Sequence, residues 1–316
     1  MSIPIAADAR PRRAEARRRR AGWRTAQSLK GAAFSLPFVL GFIALFIIPV
    51  GYAVDQSLYA IRSSGLGLGG QTSVFVGFAN FSRGLTDSDF WLSVLRVAVF
   101  AAVQVPVMLG LSLLVALLLD AVKAKTARIF RIGLLVPYMI PGVVATLIWI
   151  YLYSPDVGPL TPLAQFFGWN LNLFSAGAMW PSIGNLLTWH GLGFNMLIIY
   201  ASLQGLDPEL LDAARVDGAS ELRVARSIKV PMVRGALVLT GMLSMIGLLQ
   251  LFAEPLLFRS FVPQVITSDY TPTLAIYFQA FSSDNYNYAA ALSLILASVI
   301  AVLSFLYYKF TNRPQP

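Results

Sequence analysis

The side chains that most often carry covalent chemistry are nearly absent from this chain. There is no cysteine, which removes disulfides, thiolate nucleophiles and cysteine-based metal sites, and a single histidine, His190, cannot build a histidine-rich metal centre. No acid–base or nucleophile partner is evident for His190, so it reads as a helix-packing or interfacial residue. No G-x-x-x-x-G-K-[ST] run occurs, hence no nucleotide-binding loop of that kind. What remains is non-covalent chemistry in two places. One is a polar stretch, 207–231, in which Asp207 can cap a helix, Pro208 fits its first position and Glu209 suits the positive end of its dipole. Asp217-Gly218 then offers a stop, and Ser220 can cap a second helix from Glu221 to Val230, closed by Pro231. The other is a set of hydrogen-bonding side chains inside apolar runs. Thr188 and Asn195, seven apart, share one helix face with Asn185 nearby, Trp189 borders it, and Gln250 and Glu254 stand at i, i+4. Amides and hydroxyls beside an aromatic face suit a hydroxyl-rich ligand, whereas the plainer reading is that they glue helices together.

The elements that must position these residues are membrane spans. With 57% hydrophobic and 12% charged residues and a mean hydropathy of +0.67, the composition is that of a protein dissolved in lipid. Six apolar runs are long enough to cross: Phe34–Val54, Trp91–Leu119, Ile132–Tyr153, Ile183–Leu206, Met232–Phe252 and Tyr288–Tyr308. The first is too long for the core of a signal peptide and is taken as a span. Pro106, Pro137 and Pro141 lie within or at the ends of spans, where kinks are tolerable. The fold class expected is therefore an all-α integral membrane protein of six transmembrane helices, spanning residues 32–310. A basic arm (1–31) precedes it and a short tail (311–316) comes after. Twenty of the twenty-four Lys and Arg fall in the arm, in 120–131, in 207–234 and after 308. That bias puts both termini and the polar elbow on the cytoplasmic side of a bacterial plasma membrane. A net charge of +9 carried in loops beside apolar runs points to lipid rather than nucleic acid. On the outer side, residues 154–181 lack Lys and Arg and carry Leu163, Phe166, Phe167 and Trp169, as a short interfacial helix would; 253–287 reads as a polar and aromatic loop.

The centres of the apolar runs hold no Asp, Glu, Lys or Arg, the groups with which ion- or proton-driven carriers bind their driving ion. A transporter with neither an ion relay nor a nucleotide loop must borrow energy or be passive, and the elbow is a place to borrow it. Here a resemblance becomes specific. Asp212-Ala213-Ala214-x-x-Asp217-Gly218-Ala219, then Ile228 and Val230-Pro231, resembles the E-A-A-x-x-D-G-A…I-x-L-P loop of ABC importer permeases, and it falls between the fourth and fifth spans as it does there. Leu135-Val136-Pro137-Tyr138, Tyr153-Ser154-Pro155-Asp156-x-Gly158, Trp189-x-Gly191-x-Gly193-Phe194-Asn195-Met196 and Tyr277-x-Gln279-Ala280-Phe281…Tyr288-Ala289-Ala290-Ala291 are similar to the sugar-uptake branch, the maltose and glycerol-3-phosphate type. The resemblance covers roughly 35–310. The chain departs from the pattern at Asp212, where the family has Glu, at Ala225 for an aromatic, at Gly235 for a proline, and in lacking Gly-Gly-Pro around Val262 to Tyr270.

The resemblance implies the type I importer permease fold and a subunit that is not itself an enzyme. Two cytoplasmic ATP-binding subunits would carry the ATP and Mg, so this chain binds no cofactor or metal. A second homologous permease completes the pathway, and an extracytoplasmic binding protein delivers a sugar, oligosaccharide or polyol-phosphate. The candidates for coupling with the ATPase are Glu209, Asp212, Ala213, Ala214, Arg215, Asp217, Gly218, Ala219 and Pro231, and on the elbow's own chemistry Arg215, Arg223 and Arg226 can pair with a partner's acidic rim. Asn185, Thr188, Trp189, Asn195, Gln250 and Glu254 are the candidates for the substrate path. The alternatives are an ion-coupled carrier of a small polar solute, or an intramembrane enzyme or assembly factor, which would need ionisable residues clustered at one depth. For the elbow alone the alternative is a solvated hairpin that merely joins two spans.

Overall fold

The computed structural model describes residue 31 and residues 33–63, 71–122 and 124–311. The basic arm, apart from residue 31, and residues 312–316 of the tail lie outside the described residues. The chain divides into two units, 1–56 and 57–316. The first holds residue 31 and nearly all of α1 (Ala33–Ser57), which is apolar around its circumference, with one π turn at Ile43–Ile47 and Phe38, Phe42 and Phe46 stacked in succession.

In the second unit an antiparallel hairpin comes first, β1 (Tyr59–Ser63) paired with β2 (Gln71–Phe75). Next is α2 (Ala79–Thr86), held to the hairpin base where Asn80 Nδ2 donates to the carbonyls of Ser57 and Tyr59 at 2.9 and 2.8 Å. Asp87 caps the 34-residue α3 (Ser88–Ala121) by accepting from the Phe90 N–H. The remaining long helices are α4 (Ala124–Met139), α5 (Gly142–Tyr153), α7 (Met179–Gln204), α10 (Arg234–Leu249) and α13 (Tyr286–Thr311). Five described helical stretches are long and apolar enough to cross a membrane, six if the bent pair α4–α5 counts as one.

Two spans differ from the sequence expectation. The third, expected as one helix over 132–153, bends by 92° between α4 and α5. Pro141 takes an extended conformation there and has no N–H to continue the ladder. The break frees the Ile140 carbonyl, which the His190 ring meets at 3.0 Å, and a carbonyl can only accept, so Nε2 carries the proton. The fifth span does not end at Phe252. It breaks over 250–252 and resumes as α11 (Ala253–Arg259), so 253–259 belongs to the span, and the segment after it contains another helix, α12 (Pro272–Phe281). The short helix expected on the outer side is α6 (Leu160–Phe166), with Leu163, Phe166, Phe167 and Trp169 all exposed.

α3 and α7 form the central seam. At its middle Gln104 Nε2 donates to the Gly184 carbonyl at 3.0 Å and to Thr188 Oγ1 at 2.7 Å, and Thr188 in turn donates to Gly184. Above it Phe100 lies 4.6 Å from Trp180, and below it Ser112 donates to the Leu192 carbonyl. α4 joins the seam at Gly193, where an added Cβ would stand 1.9 Å from the Leu134 carbonyl oxygen, so no larger residue fits.

Candidate functional site

The elbow comes directly after α7. Asp207 Oδ1 accepts from the Glu209 N–H at 3.0 Å and Pro208 opens α8 (Pro208–Val216). Gly218 then turns the chain at φ +82°, a conformation that disfavours any residue with a Cβ. Ser220 Oγ caps the second helix, α9, which runs from Glu221 through a π turn at Ala225–Lys229 to Met232. Pro231 therefore does not close this helix. It lies just after the π turn, one residue before the helix ends at Met232, and the break falls at Val233.

Arg215 is exposed and is paired within the elbow itself. Its guanidinium donates to Asp212 Oδ1 and to Glu221 Oε1, both at 2.8 Å, and braces the two helices across the turn. The hydrogen bond from Arg215 holds the Glu221 carboxyl below its ordinary value, against a small opposing effect of burial, and hydrogen bonds to Glu221 and then Asp212 raise Arg215 in turn. Arg223 and Arg226 make no ion pair among the described residues. Glu209, Asp212, Ala213, Asp217, Gly218 and Pro231 are exposed, with Ala214 and Ala219 half-buried. Two residues outside the motif are more conspicuous: Val216 and Leu222 flank the turn at 87% and 79% exposure.

The intramembrane candidates separate into two groups. A cavity of about 620 Å³ lies between α3, α4, α7 and the broken fifth span, and Asn195, Gln250 and Glu254 line it. Gln104, Tyr138, His190, Phe194, Ser244 and Phe252 line it too, and none of these was singled out as a binding residue from the sequence. Gln104 could have been, as a lone amide in the middle of an apolar run. Ser244 Oγ donates to Asn195 Oδ1, and Asn195 Nδ2 to the Gly191 carbonyl. Tyr138 stacks on Phe194 at 4.6 Å. The cavity thus touches the break at 250–252, and its lining residue His190 also meets the Ile140 carbonyl at the other break. Irregular backbone at membrane depth is tolerated where it lines such a space.

Asn185 and Thr188 instead line a more apolar cavity of about 800 Å³ on another side of α3 and α7, with Leu95, Val99, Val103 and Trp180. Thr188 and Asn195 do not open onto one space. Two helical turns, about 10 Å of axis, separate them, and Gln104 stands at the boundary of both cavities. Trp189 borders neither and packs edge-on against Trp149. Near the start of α3, Arg96 pairs with Asp269 at 3.1 Å; burial raises that carboxyl, but hydrogen bonds from Thr267 and Arg96 outweigh it and hold it low.

A bundle of broken and continuous spans around a polar cavity, with an ordered hairpin between the fourth and fifth spans, defines a multi-pass membrane permease. Residues 108–315 match the family described as "Binding-protein-dependent transport system inner membrane component", and the chain belongs to that family. It is 30% identical to the lactose transport system permease protein LacF of Rhizobium radiobacter over 86% of this chain and 91% of that one. It is 28% identical to the diacetylchitobiose uptake system permease protein NgcF of Streptomyces coelicolor over 89% and 82%. To the sn-glycerol-3-phosphate transport system permease protein UgpA of Yersinia pseudotuberculosis it is 26% identical over 87% and 92%. In fold it is similar to a chain of a bacterial ABC transporter involved in the import of the acidic polysaccharide alginate, with a TM-score of 0.74, 16% identity and coverage of 93% and 100%.

The brace across the turn has a pH signature. A carboxyl depressed in the folded state contributes stability above its ordinary value of 4.5 and loses it as pH falls through the lowered value. Hydrogen-exchange protection of the 213–224 amides, corrected for intrinsic rates, is expected to drop as the buffer is taken below that range. Arg215→Ala is expected to lower the protection at neutral pH and flatten the pH dependence; an unaltered profile in the variant would show that Arg215 does not brace the turn.

Proposed function

We propose that the elbow is where this permease receives force from an ATPase, and that the cavity at the break of the fifth span is its half of the solute path. One observation carries the first part: α8 and α9 form a hairpin capped at both starts and braced by Arg215, yet they present Val216 and Leu222 bare. A passive linker needs neither caps nor a brace. In this reading Glu209, Asp212, Ala213, Ala214, Asp217, Gly218, Ala219 and Pro231 belong to the docking segment, and Arg223 and Arg226 keep their charge for the partner. Two cytoplasmic ATP-binding subunits hold ATP and Mg, a second homologous permease supplies the other half of the path, and an external binding protein delivers the solute. Both termini and the elbow lie in the cytoplasm in this reading, which the bias of Lys and Arg supports. ATP binding draws the elbows together and turns the bundle outward; hydrolysis returns it.

Gly218→Pro cannot adopt the positive φ of the turn, and Asp212→Lys breaks one arm of the brace. Both are expected to abolish co-purification of the ATPase while the permease still reaches the membrane. Full ATPase retention and transport in both variants would sink the docking role.

For the solute, Asn195, Gln250, Glu254, Gln104 and Ser244 offer hydrogen bonds beside Tyr138, Phe194 and Phe252, an arrangement suited to a hydroxylated ring. Among the described residues, Glu254 is the one charged side chain lining the cavity, and no Lys or Arg lines it to neutralise a phosphate. An uncharged sugar or oligosaccharide therefore fits better than a polyol-phosphate. In an uptake panel, neutral sugars are expected to be carried and sugar or polyol phosphates refused, with Gln250→Ala and Glu254→Ala slowing uptake. Preferential uptake of a phosphate would contradict this choice of solute.

A further inference from the structure

The elbow is joined by the chain itself to α7 and α10, but α3, which borders both cavities, ends more than a hundred residues before Lys229. The link between them is an ion pair. Lys229 Nζ, on α9, lies 2.6 Å from Asp120 Oδ2 in the last turn of α3, and their side chains are only 9% and 13% exposed. The other carboxylate oxygen, Oδ1, accepts from Gln204 Nε2 at 2.7 Å, so the last residue of α7 joins the same group. Buried Leu119, Leu203 and Val233 belong to the apolar cluster formed by these helix ends. Among the described residues, no other hydrogen bond or ion pair connects 207–232 to α3.

A buried pair of this kind is a weak source of stability, because desolvating two charges cancels much of their attraction, and apolar residues of equal volume often do as well. What it supplies and hydrocarbon contact does not is a fixed register between two elements. Here the register is between the elbow and a helix whose Gln104 lies sixteen residues away, roughly 24 Å up the axis, hydrogen-bonded to α7 and bordering both cavities. We propose that Asp120 and Lys229 form the strut that hands movement of the elbow to α3, with Gln204 keeping α3 and α7 moving as one. The pair touches no solute and no nucleotide; these are positioning residues whose loss uncouples ATP use from transport.

The inference rests on the importer reading and is tested on the complete importer, purified with its ATPase and reconstituted in proteoliposomes with its binding protein. Solute moved and ATP hydrolysed are measured on the same vesicles for Asp120→Asn, Lys229→Met, the conservative Lys229→Arg, and the charge-swapped double variant Asp120→Lys with Lys229→Asp. The two neutralised variants are expected to assemble and to keep hydrolysing ATP, while solute moved per ATP falls by roughly 2- to 30-fold, the range reached by residues that carry coupling between distant sites. Lys229→Arg and the double variant recover the ratio. A residue needed only for folding would lower assembly, hydrolysis and transport in step. A wild-type ratio in an assembled neutralised variant, or a parallel loss with no recovery in the double variant, would overturn the strut. Wild-type permease that purifies with no ATPase would overturn the importer reading itself.

Discussion

The structure depends on the close packing of α3 against α7. In hydrocarbon there is no water to satisfy a stray amide, so the Gln104 side chain must find partners inside the protein. It finds the Gly184 carbonyl and Thr188, and Gly184 permits the approach because a Cβ there would stand 2.7 Å from the Gln104 amide oxygen. One polar knot thus pins two long helices at mid-membrane. Everything attributed to function is arranged about it: a cavity on either side, the Asp120–Gln204 contact at one end of the seam and the Phe100–Trp180 contact at the other.

The same rule explains where the helices break. The Ile140 carbonyl released by Pro141 is met by His190, and the break at 250–252 faces the cavity that Asn195 and Ser244 also line. A path for a polar solute needs hydrogen-bonding groups at membrane depth, and broken helices supply backbone as well as side chains without exposing either to lipid. The elbow obeys the opposite rule. It lies outside the apolar runs, and its turn is ordered by caps, a positive-φ glycine and a surface ion cluster, with burial only further along at Val224 and Lys229.

How much was legible in the sequence depends on how local each signal is. The caps at Asp207 and Ser220 and the turn at Gly218 are written within a few residues and could be read directly. The apolar runs gave the spans, but not the angle at Pro141 or the restart of the fifth span after Phe252, because hydropathy is blind to direction. Pro231 marked the end of the second helix only to within two residues, because the helix runs through it to Met232 after a π turn. Arg215 looked free for a partner until the turn brought Glu221 to it. Asp120 and Lys229 carry no local signal at all; 109 residues separate them, and only the packing of the helix ends makes them a pair.

The central claim is that this bundle moves solute on energy delivered from the cytoplasmic side through the elbow. It is tested most directly by uptake into proteoliposomes of the whole complex, with ATP inside, binding protein outside and no ion gradient across the membrane. The account predicts accumulation that requires ATP and binding protein and is indifferent to protonophores and sodium. Accumulation driven by an ion gradient in the absence of ATP would contradict it.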